Sequence, residues 1–220
     1  GIGLQPKNVR IWVFRHQANS SCAPMLRRVW HPLGYSSNSG WSNFFINIAA
    51  GRLLTYTNTF IKFALPDIVI GTGGGYDTYE IYESVNHELS HASHFNKVGS
   101  AFWAKYVNYI ITYGKKYNHP YGDASCNNSG FCGVGEMWGY AMGYIRTYEK
   151  YQQKPKNGQN RWFQPNLLYD LMTEKILTKK QIFDCLSSDV TSHALLKQKM
   201  ISRYPSKKDS IIAKFSRYGF

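Results

Sequence analysis

The chain has 220 residues, of which 43% are hydrophobic, and it carries a net charge of +13 at pH 7. This length and apolar content indicate a globular protein with one sizeable core, or a main domain with a small appendage. No apolar run approaches the roughly 20 residues that a bilayer-spanning helix needs, which excludes such a helix, and the four cysteines lack the C-x-x-C spacing of a zinc ribbon.

The first third of the chain is predicted to be rich in β-structure. Apolar residues alternate from Val9 to Phe14 as in a strand, and residues 53–63 are rich in Thr, Tyr and Phe. Residues 67–70 are typical of a short buried strand and are followed by a glycine-rich run, 71–75. That run lacks the spacing of a phosphate-binding loop, so we interpret it as a strand-to-helix connection.

An amphipathic helix is predicted to follow the glycines. Asp77 and Glu80 have the spacing of a capping box, and Gly99 stands where a residue of positive φ commonly ends a helix. Between these limits, apolar residues recur at helical spacing. The predicted buried stripe consists of Ile81, Val85, Leu89, Ala92 and Phe95.

The segment His87-Glu88-Leu89-Ser90-His91 on this helix has the H-E-x-x-H pattern of a catalytic zinc site. Residues four apart lie one turn apart on nearly the same helix face, so the two imidazoles can bind one metal ion. The glutamate between them can reach a water on that ion and act as general base. We therefore predict one Zn²⁺ per chain, with His87 and His91 as ligands and Glu88 as the catalytic residue.

A second amphipathic helix is predicted over residues 101–113, with Trp103, Val107, Ile110 and Ile111 facing inward. In the loop that follows, 114–133, Cys126 and Cys132 bracket a short polar segment and could close a small disulfide. A disulfide would indicate an extracytoplasmic protein, whether secreted, periplasmic or surface-associated. Two buried thiols are the alternative.

A catalytic zinc site commonly has three protein ligands, and the third is predicted to be Glu136. His94 lies two turns from His87 and cannot share an ion with it. Glu136 lies in the first turn of a third predicted helix, 134–152. Gly139 and Gly143 share its helix face.

Each of these glycines costs up to ~1 kcal/mol of helix stability relative to alanine, so we interpret the pair as the sign of close approach to another helix. Such an approach would let Glu136 reach a metal held by the motif helix. Asp123 and His119 remain alternative third ligands.

The C-terminal part is predicted to be helical and basic. Residues 154–164 are polar and predicted to be a linker, and two or three short helices follow, one opening on a capping box from Thr178 to Gln181 and another ending before Pro205. We therefore divide the chain into a core, 1–153, and a helical extension packed on it, 154–220. The density of basic residues toward the end could attract an anionic surface or polyanion, although no nucleic-acid motif accompanies it, and a solubilising surface is the alternative.

The segment from Asp67 to Tyr151 resembles a zincin metallopeptidase of the gluzincin kind, in which H-E-x-x-H on one helix is completed by a glutamate on a later helix. The resemblance implies an α+β, zincin-like fold with a twisted N-terminal β-sheet before the active-site helix and a mainly helical C-terminal part. It also implies hydrolysis of peptide or protein substrates, as by an endopeptidase. Two positions depart from the pattern, because Tyr140 stands where thermolysin-like members have an aspartate, and Ser93 stands where an apolar residue is usual.

Two other functions remain open from the sequence. One is a non-catalytic or latent zincin-scaffold protein that binds anionic glycans or proteins through a basic aromatic surface. The other is a DNA-directed protease of the SprT-like kind. That group uses a third histidine soon after the motif, and none lies between His94 and His119.

Overall fold

The computed structural model describes residues 2, 8–14, 21–25, 28, 66–73, 75–117, 121–155 and 161–220. Strands β1 (Ile11–Phe14) and β2 (Ile68–Gly71) pair in parallel, with Ile11 opposite Ile68. Cys22 forms an antiparallel bridge to Val69 on β2. Every residue of β2 is buried, which fits its continuous apolar sequence. Both short strands were predicted, whereas residues 53–63 lie outside the described part of the chain.

Helix α1 (Thr78–Tyr117) contains both predicted helices, which are joined without a loop. The capping box at its start is confirmed, because the Asp77 amide donates to Glu80 Oε2 (2.9 Å) and the Glu80 amide donates to Asp77 Oδ1 (2.8 Å). The helix bends at Gly99, whose φ of 81° and ψ of 175° are accessible essentially to glycine alone.

The predicted inward faces of α1 are largely correct. Ala92, Phe95, Trp103, Val107 and Ile110 are buried. Toward the N-terminus the stripe is only partly covered, at Ile81, Val85 and Leu89. The side chain of Ile111 lies outside the described part of the chain.

Helix α2 (Ser129–Tyr151) begins before the predicted Val134, after Asn128 with a φ of 64°. It is buried on most of its surface because α1 covers one side and the C-terminal helices cover another. A helix that is apolar almost all round, as this one is, must lie inside the protein.

Four α-helices and one 3₁₀ turn complete the chain, more than the two or three helices predicted. They are α3 (Asn166–Thr173), α4 (Lys179–Cys185), α5 (His193–Arg203), the 3₁₀ turn Pro205–Lys207, and α6 (Lys208–Arg217). The predicted capping box of Thr178 and Gln181 opens α4. The linker interpretation is wrong for residues 161–164, because Phe163 is fully buried; residues 156–160 lie outside the described part.

Buried side chains form two clusters. One joins β2 to α1, and the other joins α2 to the C-terminal helices, with members such as Trp138, Leu167, Leu171, Phe183, Leu196 and Phe215. Residues on both sides of the predicted domain boundary contribute to the second cluster. The boundary itself stays a prediction.

The described part of the chain is mostly helical with one small parallel sheet, consistent with an α+β fold. None of the helices in these residues combines the length and apolar character that crossing a membrane requires. All four cysteines lie in described segments and are thiols, so the thiol alternative applies to Cys126 and Cys132.

Candidate metal centre

Three predicted ligands meet between α1 and α2. The Nε2 atoms of His87 and His91 lie 2.9 Å apart, and Glu136 Oε2 lies 3.5 Å from the first and 3.7 Å from the second. One potential ligand atom from each of the three residues falls within 4.8 Å of the others. Two imidazoles and a carboxylate in this arrangement can hold a divalent metal ion.

The close approach of the two helices depends on glycine. A Cβ atom on Gly139 would lie 2.8 Å from His91 Nε2 and 3.1 Å from His87 Cε1, and one on Gly143 would lie 3.1 Å from the Glu83 carbonyl oxygen. Side chains at these positions would therefore push α2 away from the histidines. The prediction that the glycines mark a close helix crossing is confirmed.

The other predicted candidates do not join this group. The half-buried Asp123 accepts hydrogen bonds on its carboxylate from the Ser125 amide (2.8 Å) and hydroxyl (2.5 Å). His94 packs against Phe102 and Trp103, and neither of its ring nitrogens has a hydrogen-bond partner among the described residues. His119 lies outside the described part of the chain.

Protonation in the group suits metal binding. Burial, together with the neighbouring His91, lowers the pKa of His87 to about 3, so its imidazole is neutral at pH 7. Burial alone would raise the pKa of Glu136, but His91, His87 and a hydrogen bond from Tyr106 outweigh it and hold that pKa below its usual value. A neutral imidazole and an ionised carboxylate are the forms that bind metal.

Tyr106 orients Glu136, the candidate third ligand, and was missed from the sequence. Its hydroxyl donates to Glu136 Oε1, leaving Oε2, the oxygen that approaches both histidines, without a hydrogen-bond partner in the described residues. Burial and the charge of Glu136 raise the pKa of Tyr106, so it stays a donor. Its signals in the sequence are its inward position after Trp103 and the glycine before Glu136, because a Cβ on Gly135 would lie 3.3 Å from the Tyr106 ring.

Glu88 lies beside the ligands. Its Oε1 is 4.0 Å from His87 Nε2, and its buried Oε2 has no hydrogen-bond partner in the described part of the chain. Burial, and then the charge of Glu136, raise the pKa of Glu88 well above its usual value. A buried carboxyl oxygen without a partner is costly, and a ligand in the site would supply one.

An aromatic and cationic cluster also contacts His87. The Tyr140 ring meets the His87 ring edge to face at 4.3 Å between centroids, and its hydroxyl lies 2.9 Å from that of Tyr121. The Arg161 guanidinium lies over both tyrosine rings, at 4.7 Å from Tyr121 and 4.6 Å from Tyr140. Sequence reasoning placed Arg161 in a linker and gave it no role.

Comparison with protein-family models, with curated proteins and with solved structures finds no match for this chain.

Proposed function

We propose that this chain is a zinc-dependent metallopeptidase with a gluzincin-type site, in which His87, His91 and Glu136 hold one Zn²⁺. The observation that carries the proposal is the convergence of these three side chains beside a buried glutamate whose Oε2 has no hydrogen-bond partner in the described residues. Two histidines and a glutamate are a donor set of catalytic zinc sites. The same donors suit other divalent metals, and Glu88 favours zinc because a general base beside the metal serves hydrolysis.

Each residue would have a distinct part in peptide hydrolysis. Bound zinc would lower the pKa of a water ligand toward 7 and polarise the peptide carbonyl. Glu88 would accept the proton of the attacking water and pass it to the leaving amine. Tyr106 would hold Glu136 by the hydrogen bond to Oε1, leaving Oε2 for the metal.

Elemental analysis of protein purified without added metal tests the proposal. We expect one zinc per chain in the wild type and a large loss of zinc in Glu136→Ala. Glu149→Ala is the matched control, because Glu149 lies on the exposed side of the same helix and pairs with Arg146 and Lys179. Wild-type protein that stays free of zinc after reconstitution would contradict the proposal, and full zinc in Glu136→Ala would remove Glu136 as a ligand.

Binding of an anionic glycan or protein is the second candidate. It is supported by the net charge of +13 and by the basic C-terminal helices. Several of their lysines already make ion pairs with carboxylates, namely Lys179, Lys180, Lys199 and Lys214. Polyanion binding that survives metal removal and weakens steeply with salt would favour this candidate.

A further inference from the structure

The setting of Arg161 beside the metal ligands suggests a role in substrate recognition. Its neighbours in the chain are anchored, because Phe163 is fully buried and Trp162 Nε1 donates to the Tyr121 carbonyl oxygen at 3.0 Å. The guanidinium then lies over the rings of Tyr121 and Tyr140, which are linked through their hydroxyls. Contact with aromatic faces holds a guanidinium in place without neutralising its charge.

No carboxylate among the described residues forms an ion pair with this guanidinium. All 13 Asp and Glu residues lie in the described segments, and none forms an ion pair with Arg161. Its Nε is buried and has no hydrogen-bond partner among the described residues. A partly buried guanidinium offers a planar fork of donors that matches a carboxylate.

Arg161 also lies at a suitable distance from the proposed reaction centre. Both groups contact the Tyr140 ring, whose centroid lies 4.6 Å from the Arg161 guanidinium carbon and 4.3 Å from the centre of the His87 imidazole, so the two groups are at most about 9 Å apart. One residue of extended peptide spans about 3.3–3.6 Å, and an arginine–carboxylate hydrogen bond adds about 2.7–2.9 Å. A peptide whose carbonyl lies at the metal can therefore bring a carboxylate one or two residues further along the peptide to Arg161.

We propose that Arg161 is a specificity residue that binds a substrate carboxylate one or two residues from the bond to be hydrolysed. This inference rests on the proposed peptidase function. The carboxylate belongs either to the free C-terminus of a peptide or to an acidic side chain, and both present the same planar, bidentate acceptor to the guanidinium.

Direct binding measurements test the inference without depending on turnover. Titration calorimetry on the zinc-loaded full chain, carrying Glu88→Gln to prevent hydrolysis, compares three probes: acetyl-trialanine as the free acid, its C-terminal amide, and acetyl-Ala-Ala-Asp amide. We expect at least one carboxylate probe to bind about 10- to 100-fold more tightly than the neutral amide, the range for charge-assisted hydrogen bonds. Tighter binding of the free acid would identify the peptide C-terminus as the carboxylate that Arg161 binds, and tighter binding of the aspartate amide would identify an acidic side chain.

Variants then assign the difference to Arg161. Arg161→Gln should abolish the preference, and Arg161→Lys, which keeps the charge but lacks the planar fork, should retain part of it. Arg146→Gln, an exposed arginine on α2, is the control and should leave the preference unchanged. If Arg161→Gln does not fold, a reduced preference in Arg161→Lys would support the inference, and an unchanged preference would contradict it.

Equal affinity of the parent protein for acid and amide probes, or no binding of any probe, would overturn the inference. So would a preference that survives in Arg161→Gln. Failure of the peptidase proposal would be seen separately, as missing zinc or as no cleavage by the wild type. The acid–amide contrast is an affinity, so it is measured whether or not the wild type cleaves peptides, and on the metal-free chain if no zinc binds.

Discussion

At the scale of single residues, Glu88 has the environment of a general base that needs a ligand to complete it. The side chain is buried, one of its oxygens has no partner in the described residues, and its pKa is raised by burial and by Glu136. Bound metal would add positive charge beside it and favour its ionised form. The geometry thus supports a proton acceptor that becomes effective when metal is present.

Replacement of Glu88 by glutamine separates catalysis from metal binding. We expect Glu88→Gln to keep the zinc content of the wild type. Its kcat should fall about 10²- to 10⁴-fold, since glutamine cannot accept the proton. Peptide hydrolysis and elemental analysis on the same preparation measure both quantities. The control is Glu149→Gln on the exposed side of α2, and wild-type turnover in Glu88→Gln would disprove the role given to Glu88.

Tyr106 is expected to act on metal affinity. Tyr106→Phe removes the hydrogen bond to Glu136 Oε1 but keeps the ring that packs at Gly135. Loss of a group that orients a metal ligand typically weakens affinity about 10- to 100-fold, and we expect a change of that size in a competition titration with a zinc chelator. Tyr148→Phe on α2 serves as control. An unchanged zinc affinity would mean that Glu136 needs no orientation by Tyr106.

At the scale of elements, the crossing of α1 and α2 brings the ligands together. Two residues of α1 and one of α2 converge where α2 has Gly139 and Gly143. The Trp138 indole next to Gly139 donates to the Ser90 carbonyl oxygen at 3.2 Å, which ties the helices beside the site. Packing of the two helices and the geometry of the proposed metal site would therefore be coupled.

Substitution of Gly139 by alanine tests that coupling. Alanine has a helix propensity more favourable by ~1 kcal/mol, so α2 on its own would gain stability. Inside the crossing its Cβ would lie 2.8 Å from His91 Nε2, and overpacking of this kind costs about 1–3 kcal/mol. We expect Gly139→Ala to lower both zinc affinity and the free energy of unfolding in urea. An unchanged zinc affinity would show that the helices can separate without disturbing the site.

Sequence reasoning reached those features that depend on local spacing. The capping boxes at Asp77 and Thr178, the positive φ of Gly99 and the shared face of His87 and His91 all follow from residues within a few positions of one another, although the helix bends at Gly99 where it was predicted to end. Gly139 was informative because a helix rarely carries glycine without a packing reason.

The residues that sequence reasoning missed depend on distant parts of the chain. Tyr106 becomes significant only when α2 places Glu136 beside it, and Arg161 only when Tyr121 and Tyr140 meet beneath it. Likewise, Phe163 stands in a polar stretch whose composition indicates a linker, but tertiary packing buries it. Contacts between residues far apart in sequence leave no periodic pattern in either segment.

At the scale of the whole molecule, buried neutral histidines make stability depend on pH. Burial lowers the pKa of His87 and His94 to about 3 and that of His193 to about 4. In the unfolded chain a histidine titrates near 6.5, so between pH 6.5 and these folded values the unfolded state binds more protons. Stability from this source is fully present above about pH 6.5 and is lost as the pH falls.

Urea unfolding of metal-free protein at several pH values measures this loss. Each such histidine contributes up to about 1.4 kcal/mol per pH unit across its window. We expect His94→Leu to reduce the slope of the free energy of unfolding against pH between pH 6.5 and 4, because it removes one titrating group. It also removes two ring nitrogens that have no partner among the described residues. His193 stays in the variant and should still give a pH-dependent loss of stability. If the slope of His94→Leu were as steep as that of the wild type, His94 would not be one of the buried neutral histidines responsible.

The bend at Gly99 has a consequence for the metal site that the distances alone do not express. His91 lies before the bend and Tyr106 after it, yet both must meet Glu136 of another helix. Tyr106 is about 10 Å beyond Gly99 along the axis, so a change of about 10° in the bend would move its ring by about 2 Å, enough to break a hydrogen bond. The backbone conformation of Gly99 would thus set the alignment of the candidate ligands, and a residue outside the site would control whether Glu136 is held in place.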